Sequence, residues 1–417
     1  MKNIRNLIIS VILLAGMTSF SVVAQVSAFN FNSFNGFNFN INFPNMLSGG
    51  HKWVCGTSNS AVTADCLSQV VTDRSGNPAA ATLPAGYGPL QFHTAYQIPS
   101  TSSNPGVIGI VDAYGDSTIS SDLATYDKTY GLSSFPTCST SVKTACFEKI
   151  SQTGSTTRFP GNNSGWALET SLDVEVAHQT CQNCKLVLVE ANNSSYSNLM
   201  AAVDEAHSLG ATVISNSYGS SEFNGETSYD SHFNYTGTAI IFAAGDSSYG
   251  PIYPAASPHV VSVGGTTLNL SSSNAWQSET VWNGTGSGCS VYEPRPTFQS
   301  DSACTNRTIA DVSADADPNT GAAVYDSVGY YWSRGWFQVG GTSLATPLIA
   351  GIYALANNVG SSVYANSVPY SAVSYGVNMH DITTGSNGSC NGTNLCQASA
   401  GYDGPSGLGS PIGLGAF

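Results

Sequence analysis

Five short runs, apolar almost throughout, limit what this 417-residue chain can fold into. They are Val107-Ile108-Gly109-Ile110-Val111, Leu186-Val187-Leu188-Val189, Thr212-Val213-Ile214-Ser215, Ala239-Ile240-Ile241-Phe242-Ala243 and Val260-Val261-Ser262-Val263. A strand with one wet face alternates apolar and polar residues. An unbroken apolar run needs cover on both faces, which helices packed on a parallel sheet provide. Helical patterns lie among these runs, at 122–130, 197–209 and 343–357. Strands alternating with helices over residues 105–417 predict one α/β domain, a doubly wound, mostly parallel sheet with helices on both faces. Ligands of such sheets sit beyond the carboxyl ends of the strands, so the chemistry is sought just after those ends.

The segments before the domain speak to compartment. Residues 1–24 carry Lys2 and Arg5, then an apolar run from Leu7 to Ala15, then small residues ending at Ala24. That is the layout of a signal peptide, and the run is short for a membrane anchor. Residues 25–50 are an Asn/Phe tract that reads as disordered or as a loose strand. Residues 51–104 read as a leader packed on the main body. The ten cysteines fall in near couples, 55/66, 138/146, 181/184, 289/304 and 390/396. In an exported chain such couples read as disulfides. Cys181-Gln-Asn-Cys184 also has the spacing of a redox pair or half a zinc site, but no second such motif accompanies it. A soluble, secreted protein is therefore expected, with no membrane association once the signal is removed, and as a monomer. With 12 basic against 26 acidic residues the net charge is −14. Nucleic-acid binding and anionic membranes are disfavoured, since both need basic clusters. Only 9% of residues are charged, against about 25% in ordinary soluble proteins, a composition compatible with acidic surroundings.

Three segments carry candidate chemistry. Gly340-Gly341-Thr342-Ser343 precedes an apolar helical pattern, which puts Ser343 near a helix N-terminus. Backbone N–H groups there favour developing negative charge, so the position suits a nucleophile; it also suits a plain helix cap. Glu169 and Asp173 are four residues apart in Trp166-Ala167-Leu168-Glu169-Thr170-Ser171-Leu172-Asp173. That spacing puts both carboxylates on one helix face. On a wet helix the pair would be unremarkable, but its neighbours are mostly apolar, and two buried carboxyls within reach share a proton. Asp246 follows the run ending at Ala243-Ala244-Gly245, as a turn residue or as a group in the same crevice.

The combination Glu169-x-x-x-Asp173, Ala244-Gly245-Asp246-Ser247 and Gly341-Thr342-Ser343-x-x-x-Pro347, in that order, resembles the serine-carboxyl peptidases of the sedolisin family. Val111-Asp112-Ala113-Tyr114, Ser215-Asn216-Ser217-Tyr218-Gly219, Tyr253-Pro254-Ala255-Ala256-Ser257-Pro258 and Gly264-Gly265-Thr266-Thr267 add to it. The resemblance implies a subtilisin-like fold and endopeptidase or tripeptidyl-peptidase action on protein or peptide substrates in acid. It makes Ser343 the nucleophile, Glu169 its base, Asp173 the partner of Glu169, and Asp246 the oxyanion donor. The chemistry agrees: a histidine base would be protonated in acid, whereas a carboxylate pair still accepts a proton. Asp246 must itself be protonated to donate.

By the same resemblance one structural Ca2+ is bound by the side chains of Asp381 and Asp403 and the carbonyls of Ile382, Ser399 and Gly401. Two aspartates among Gly-rich loops suit a hard cation, though they also suit ordinary turns. The chain departs from the family in lacking a large folded prodomain before residue 105, and in Gly340, Ala244 and Ser248 around the motifs. Two rivals remain. A subtilase with an Asp/His/Ser triad would use Asp112 and Ser343, but His178 sits inside the carboxylate helix and reads as a packed or surface residue. A secreted binding protein on an inactive scaffold would have no need to keep all four catalytic positions.

Overall fold

The computed structural model describes residues 50–417 except 58, 59, 61, 140, 142 and 143. The expected signal peptide at 1–24 and nearly all of the Asn/Phe tract lie outside the described residues.

Each of the five apolar runs forms a strand. With three more they build an eight-stranded sheet among the described residues. In chain order the strands are β1 (Val107–Ala113), β2 (Phe147–Ser151), β3 (Lys185–Ala191), β4 (Val213–Asn216), β5 (Ala239–Ala243), β6 (Val261–Leu270), β7 (Trp276–Val281) and β8 (Val312–Asp315). Their order across the sheet is β7-β6-β5-β4-β1-β3-β2, with β8 also paired to β6. Every pairing is parallel except β6 with β7. The chain starts in the middle of the sheet at β1, builds one side through β3 and β2, then crosses to β4. This reversal beside β1 is where such a sheet opens a crevice.

The helices are α1 (Ile119–Tyr130), α2 (Ser164–Thr180), α3 (Tyr196–Ser208) and α4 (Thr342–Ala356). Gly109 in β1 shows why one strand residue must be small, because a β-carbon there would come within 2.9 Å of the Ala206 methyl of α3. Ile108 and Ile110, pointing to the opposite face, are fully buried as well. Helix α2 begins at Asn163, whose side chain accepts the N–H groups of Gly165 and Trp166 and so satisfies two of the otherwise unpaired donors. From Gly165 to Thr180 every residue of α2 is buried. Gly351 of α4 lets the Thr180 end of α2 come into direct contact. The two helices bearing the sequence candidates are thereby packed together.

The described residues of 50–104 are woven into this body. Gly50–Trp53 pairs with Gln69–Thr72, which pairs in turn with Ser333–Gly340, and Ser333–Gly340 forms a hairpin with Ala322–Tyr330. Asp65–Cys66 pairs with Tyr218–Ser221 just after β4. The five cysteine couples expected from proximity are each joined as disulfides. Cys181–Cys184 is thus a disulfide rather than half of a zinc site. Among the described residues no helix is long and apolar enough to cross a membrane.

Candidate active site

The sheet delivers three groups to one place from its carboxyl ends: Asp112 at the end of β1, Ser217 just after β4 and Asp246 just after β5. Helix α2 adds Glu169 and Asp173, and the N-terminus of α4 adds Ser343. Ser343 is the second residue of α4, behind an N-cap at Gly341, so it does not itself cap the helix. Gly341 has φ 102°, which favours glycine. A β-carbon there would also collide with Asp246 Oδ2, the carbonyl oxygen of Leu67 and Ser68 Cα. The Ser343 hydroxyl donates to Ser217 O at 3.2 Å. Pro347 lacks the N–H that would otherwise bond back to the Ser343 carbonyl, and the Ser217 hydroxyl lies 3.5 Å from that oxygen.

Glu169 and Asp173 are fully buried. Glu169 accepts a short hydrogen bond from the Ser68 hydroxyl, and Asp173 accepts one from Ser217 Oγ at 2.9 Å. Burial, reinforced by the charge of Asp112, holds the Glu169 carboxyl well above its ordinary range; the nearby Ser343 hydroxyl and the hydrogen bond from Ser68 act the other way. Asp173 is held well above its range by burial, then by Asp112 and Glu169. Asp112, itself pushed up to about 7 by burial, is thus a third carboxyl behind the pair rather than a member of a histidine triad. His178 lies nine residues along α2 from Glu169, about 13 Å, and its Nε2 is 3.0 Å from Asp127. Among the described residues no histidine hydrogen-bonds Ser343.

Asp246 is bound to α4 by two donors on one oxygen. Thr342 N–H and Thr342 Oγ1 reach Oδ1 at 2.7 and 2.8 Å, while Oδ2 faces the cleft, 3.4 Å from Gln69 Nε2. Burial pushes the Asp246 carboxyl up to about 7. It is therefore protonated in acid and able to donate.

The four sequence candidates are brought together. Ser68, Gln69, Ser217 and Thr342 complete their surroundings and were not singled out. Ser217 and Thr342 lay in motifs already noted; Ser68 and Gln69 carry no local signal. The Ser343 N–H itself donates to the carbonyl oxygen of Leu67 at 3.0 Å.

The candidate calcium residues meet at the opposite end of the chain. A short ladder, Met379–His380 with Ser410–Pro411, sets the loop of Asp381 and Ile382 beside the loop of Ser399, Gly401 and Asp403. Gly401 N–H donates to both Asp381 oxygens at 3.1 Å, and Ser399 N–H to Asp403 Oδ2 at 2.9 Å. Asp403 is fully buried and is pushed up to about 7, mainly by burial and in part by the charge of Asp381. Neither carboxylate belongs to an ion pair among the described residues. A buried carboxyl beside a second one with no basic partner fits a hard cation with oxygen ligands.

A sequence profile of the Subtilase family matches residues 158–373, about half of the chain. The chain is 31% identical over 376 residues to sedolisin from Pseudomonas sp. (strain 101), covering 80% of this chain and 61% of that protein. It is 30% identical over 367 residues to kumamolisin from Bacillus sp. (strain MN-32), covering 79% and 63%. It therefore spans about three fifths of the length of these curated relatives. The solved structure of Pseudomonas sedolisin, a serine-carboxyl proteinase complexed with pseudo-iodotyrostatin, superposes with a TM-score of 0.64 at 28% identity, over 79% of this chain and 96% of that one. The profile, the relatives and the shared fold agree with the site, and the chain belongs to the subtilase family, among its sedolisins.

Proposed function

We propose that this chain is a secreted, acid-active serine-carboxyl peptidase that hydrolyses peptide bonds in proteins or peptides. The observation that carries the reading is the gathering of Ser343, Glu169 and Asp246 around residues 67 and 68: Ser343 N–H donates to Leu67 O, the Ser68 hydroxyl donates to Glu169, and Asp246 Oδ2 and Leu67 O both crowd Gly341. A substrate would lie antiparallel to Tyr218–Ser221. Ser343 Oγ attacks the carbonyl carbon while its proton passes to Glu169, which Asp173 supports by sharing charge. The developing oxyanion is held by Ser343 N–H and by the proton of Asp246. Glu169 then returns the proton to the leaving amine, and water repeats the sequence on the acyl-enzyme. The test is incubation of denatured protein with the purified chain at pH about 3–5, with and without a disulfide-reducing phosphine. Cleavage that disappears in Ser343→Ala is expected. No cleavage under either condition, or unchanged cleavage in that variant, would defeat the reading. Residues 1–24 act as the export signal, in keeping with the five disulfides.

The loops at Asp381 and Asp403 hold one Ca2+ through both carboxylates and the carbonyls of Ile382, Ser399 and Gly401. When bound, the ion supplies stability, not chemistry at Ser343. The Asp381→Asn variant is expected to melt lower by several degrees and to lose the response of its melting temperature to added calcium or chelator. An unaltered calcium response in that variant removes the site.

A further inference from the structure

The active-site groups are covered by the chain itself. Upstream of the nucleophile, Asp65 and Cys66 pair antiparallel with Gly219 and Tyr218, and Leu67 N–H donates to Ser217 O at 3.1 Å. Leu67 O accepts Ser343 N–H. Downstream, the Ser68 hydroxyl donates to Glu169, and Gln69 and Val70 pair antiparallel with Gly340 and Val339. The Leu67–Ser68 bond thus stands where a bond to be cut would stand, and Leu67 is only 6% exposed.

Both sides of that bond are fastened to one short stretch, residues 53–55. Trp53 pairs with Gln69, and Val54 N–H donates to Ser68 O at 3.0 Å. Cys55, the next residue, is bonded to Cys66, the neighbour of Leu67. The stretch is itself seated on the body. Gly165, at the start of α2, lies so close to the Val54 carbonyl that a β-carbon would come within 2.7 Å of it.

We propose, on the peptidase reading above, that residues 50–55 and 65–72 form an inhibitor of the cleft carried in cis, with Leu67–Ser68 as its reactive bond and Cys55–Cys66 as its clasp. Attack of Ser343 Oγ on the Leu67 carbonyl forms the ester and breaks the bond to Ser68, whose nitrogen takes the proton from Glu169. An ordinary leaving peptide would then diffuse away. Here Ser68 stays paired through Val54 and Trp53, and Leu67 stays beside Cys66, held to Cys55. The amine therefore remains at high effective concentration next to the ester. It can attack the ester and restore the peptide, returning its proton to Glu169 and the hydroxyl to Ser343. Where water wins instead, giving the Leu67 carboxylate and the Ser68 amine, the same pairings keep the cut ends in the cleft. Opening the clasp frees the Leu67 side, and the cleft then admits other peptides.

The experiment measures hydrolysis of a short fluorogenic peptide in acid by the full chain in three forms: as purified, as the double variant Cys55→Ser/Cys66→Ser, and after treatment with a water-soluble phosphine. The phosphine is oxidised to its oxide with oxygen from water as the disulfide becomes two thiols, and it acts in acid. The variant assigns the effect to this pair among the five disulfides; the phosphine treatment starts from the natively folded chain should the variant fold poorly. Expected is a kcat/KM about tenfold or more above that of the purified chain, because only the uncovered fraction binds substrate. Any cut at Leu67–Ser68 in the purified chain should leave two pieces that separate in denaturant and co-elute without it. A purified chain that works as fast as the opened forms overturns the inhibitor and leaves the peptidase reading standing. No turnover by folded, opened chain overturns both.

Discussion

Glu169→Gln, made in the chain with Cys55–Cys66 opened, is expected to lower kcat/KM by about a thousandfold while leaving the melting temperature in acid nearly unchanged. The two halves of this expectation have one cause. Burial and the charge of Asp112 hold the Glu169 carboxyl well above its ordinary range, so the folded protein in acid carries a neutral group there. Glutamine has nearly the same shape, stays neutral, and keeps an oxygen for the Ser68 hydroxyl. No cavity opens and no charge is stranded, so little stability is lost. Turnover differs because the amide cannot accept the Ser343 proton, and loss of a positioned base costs about 10²–10⁴-fold. The base must be ionised to work; in the closed chain only a small ionised fraction attacks Leu67–Ser68, and opening the cleft enlarges that fraction. Water returns, the burial that lifts the pKa is relieved, and the Glu169–Asp173 pair can lose one proton. Turnover retained by the glutamine variant would move the base to Asp173, and a large fall in melting temperature would make Glu169 a structural group instead.

The sheet was legible where burial on both faces left its mark on composition. The runs that became β1, β3, β4, β5 and the start of β6 need no distant information, because a strand covered on both sides must be apolar along its length. The strands that escaped notice lack that mark. β2 reads Phe147-Glu148-Lys149-Ile150-Ser151 at the sheet edge, and β8 reads Val312-Ser313-Ala314-Asp315. β6 runs on to Leu270 through Gly264 and Gly265, residues a propensity argument would treat as the end of a strand. They are glycines because Pro405 O and the Ala316 methyl press against those positions. That requirement comes from neighbours far along the chain.

The site divides in the same way. Glu169, Asp173, Asp246 and Ser343 sit in local motifs whose spacing has meaning: one helix face, one strand end, one helix start. Ser68 and Gln69 lie in a stretch with no motif at all. Their place is set by pairing with Gly340 and Val339, some 270 residues away, and by a disulfide whose partners gave only proximity. The composition of residues 51–104 carries no mark of where on the body these two residues sit. Asp112 shows a third case. Its position at the end of β1 was evident, but its role followed from what α2 carries above it, two carboxyls rather than a histidine.

Raising the pH from about 4 to about 8 is expected to stop turnover and to loosen the fold, for related but separable reasons. Burial pushes Asp112, Asp246 and Asp326 up to about 7 and Asp116 up to about 6, from an ordinary value of 3.8. Asp116, Asp122 and Asp326 also bring carboxyl oxygens within 4.8 Å of one another, all of them buried. The unfolded chain releases the protons of Asp112, Asp116, Asp246 and Asp326 near the ordinary pKa, while the folded chain keeps them until about 6–7. Between those values folding binds protons, so stability is full below about pH 4 and falls as the pH rises to about 7. Summed over several groups, the melting temperature should drop by about 10 °C or more. Asp112→Asn, neutral at every pH, should lessen that drop while changing the acid value little. A melting temperature that is flat or rising from pH 4 to 8 would refute this account. Activity measured well below the melting temperature isolates the other effect. Deprotonated Asp246 withdraws a donor from the oxyanion and sets a like charge against it, so the rate should fall with an apparent pKa near 7. Asp246→Asn keeps a donor that does not titrate. It should work more slowly in acid and lose that alkaline limb; an unchanged limb would place the titrating group elsewhere.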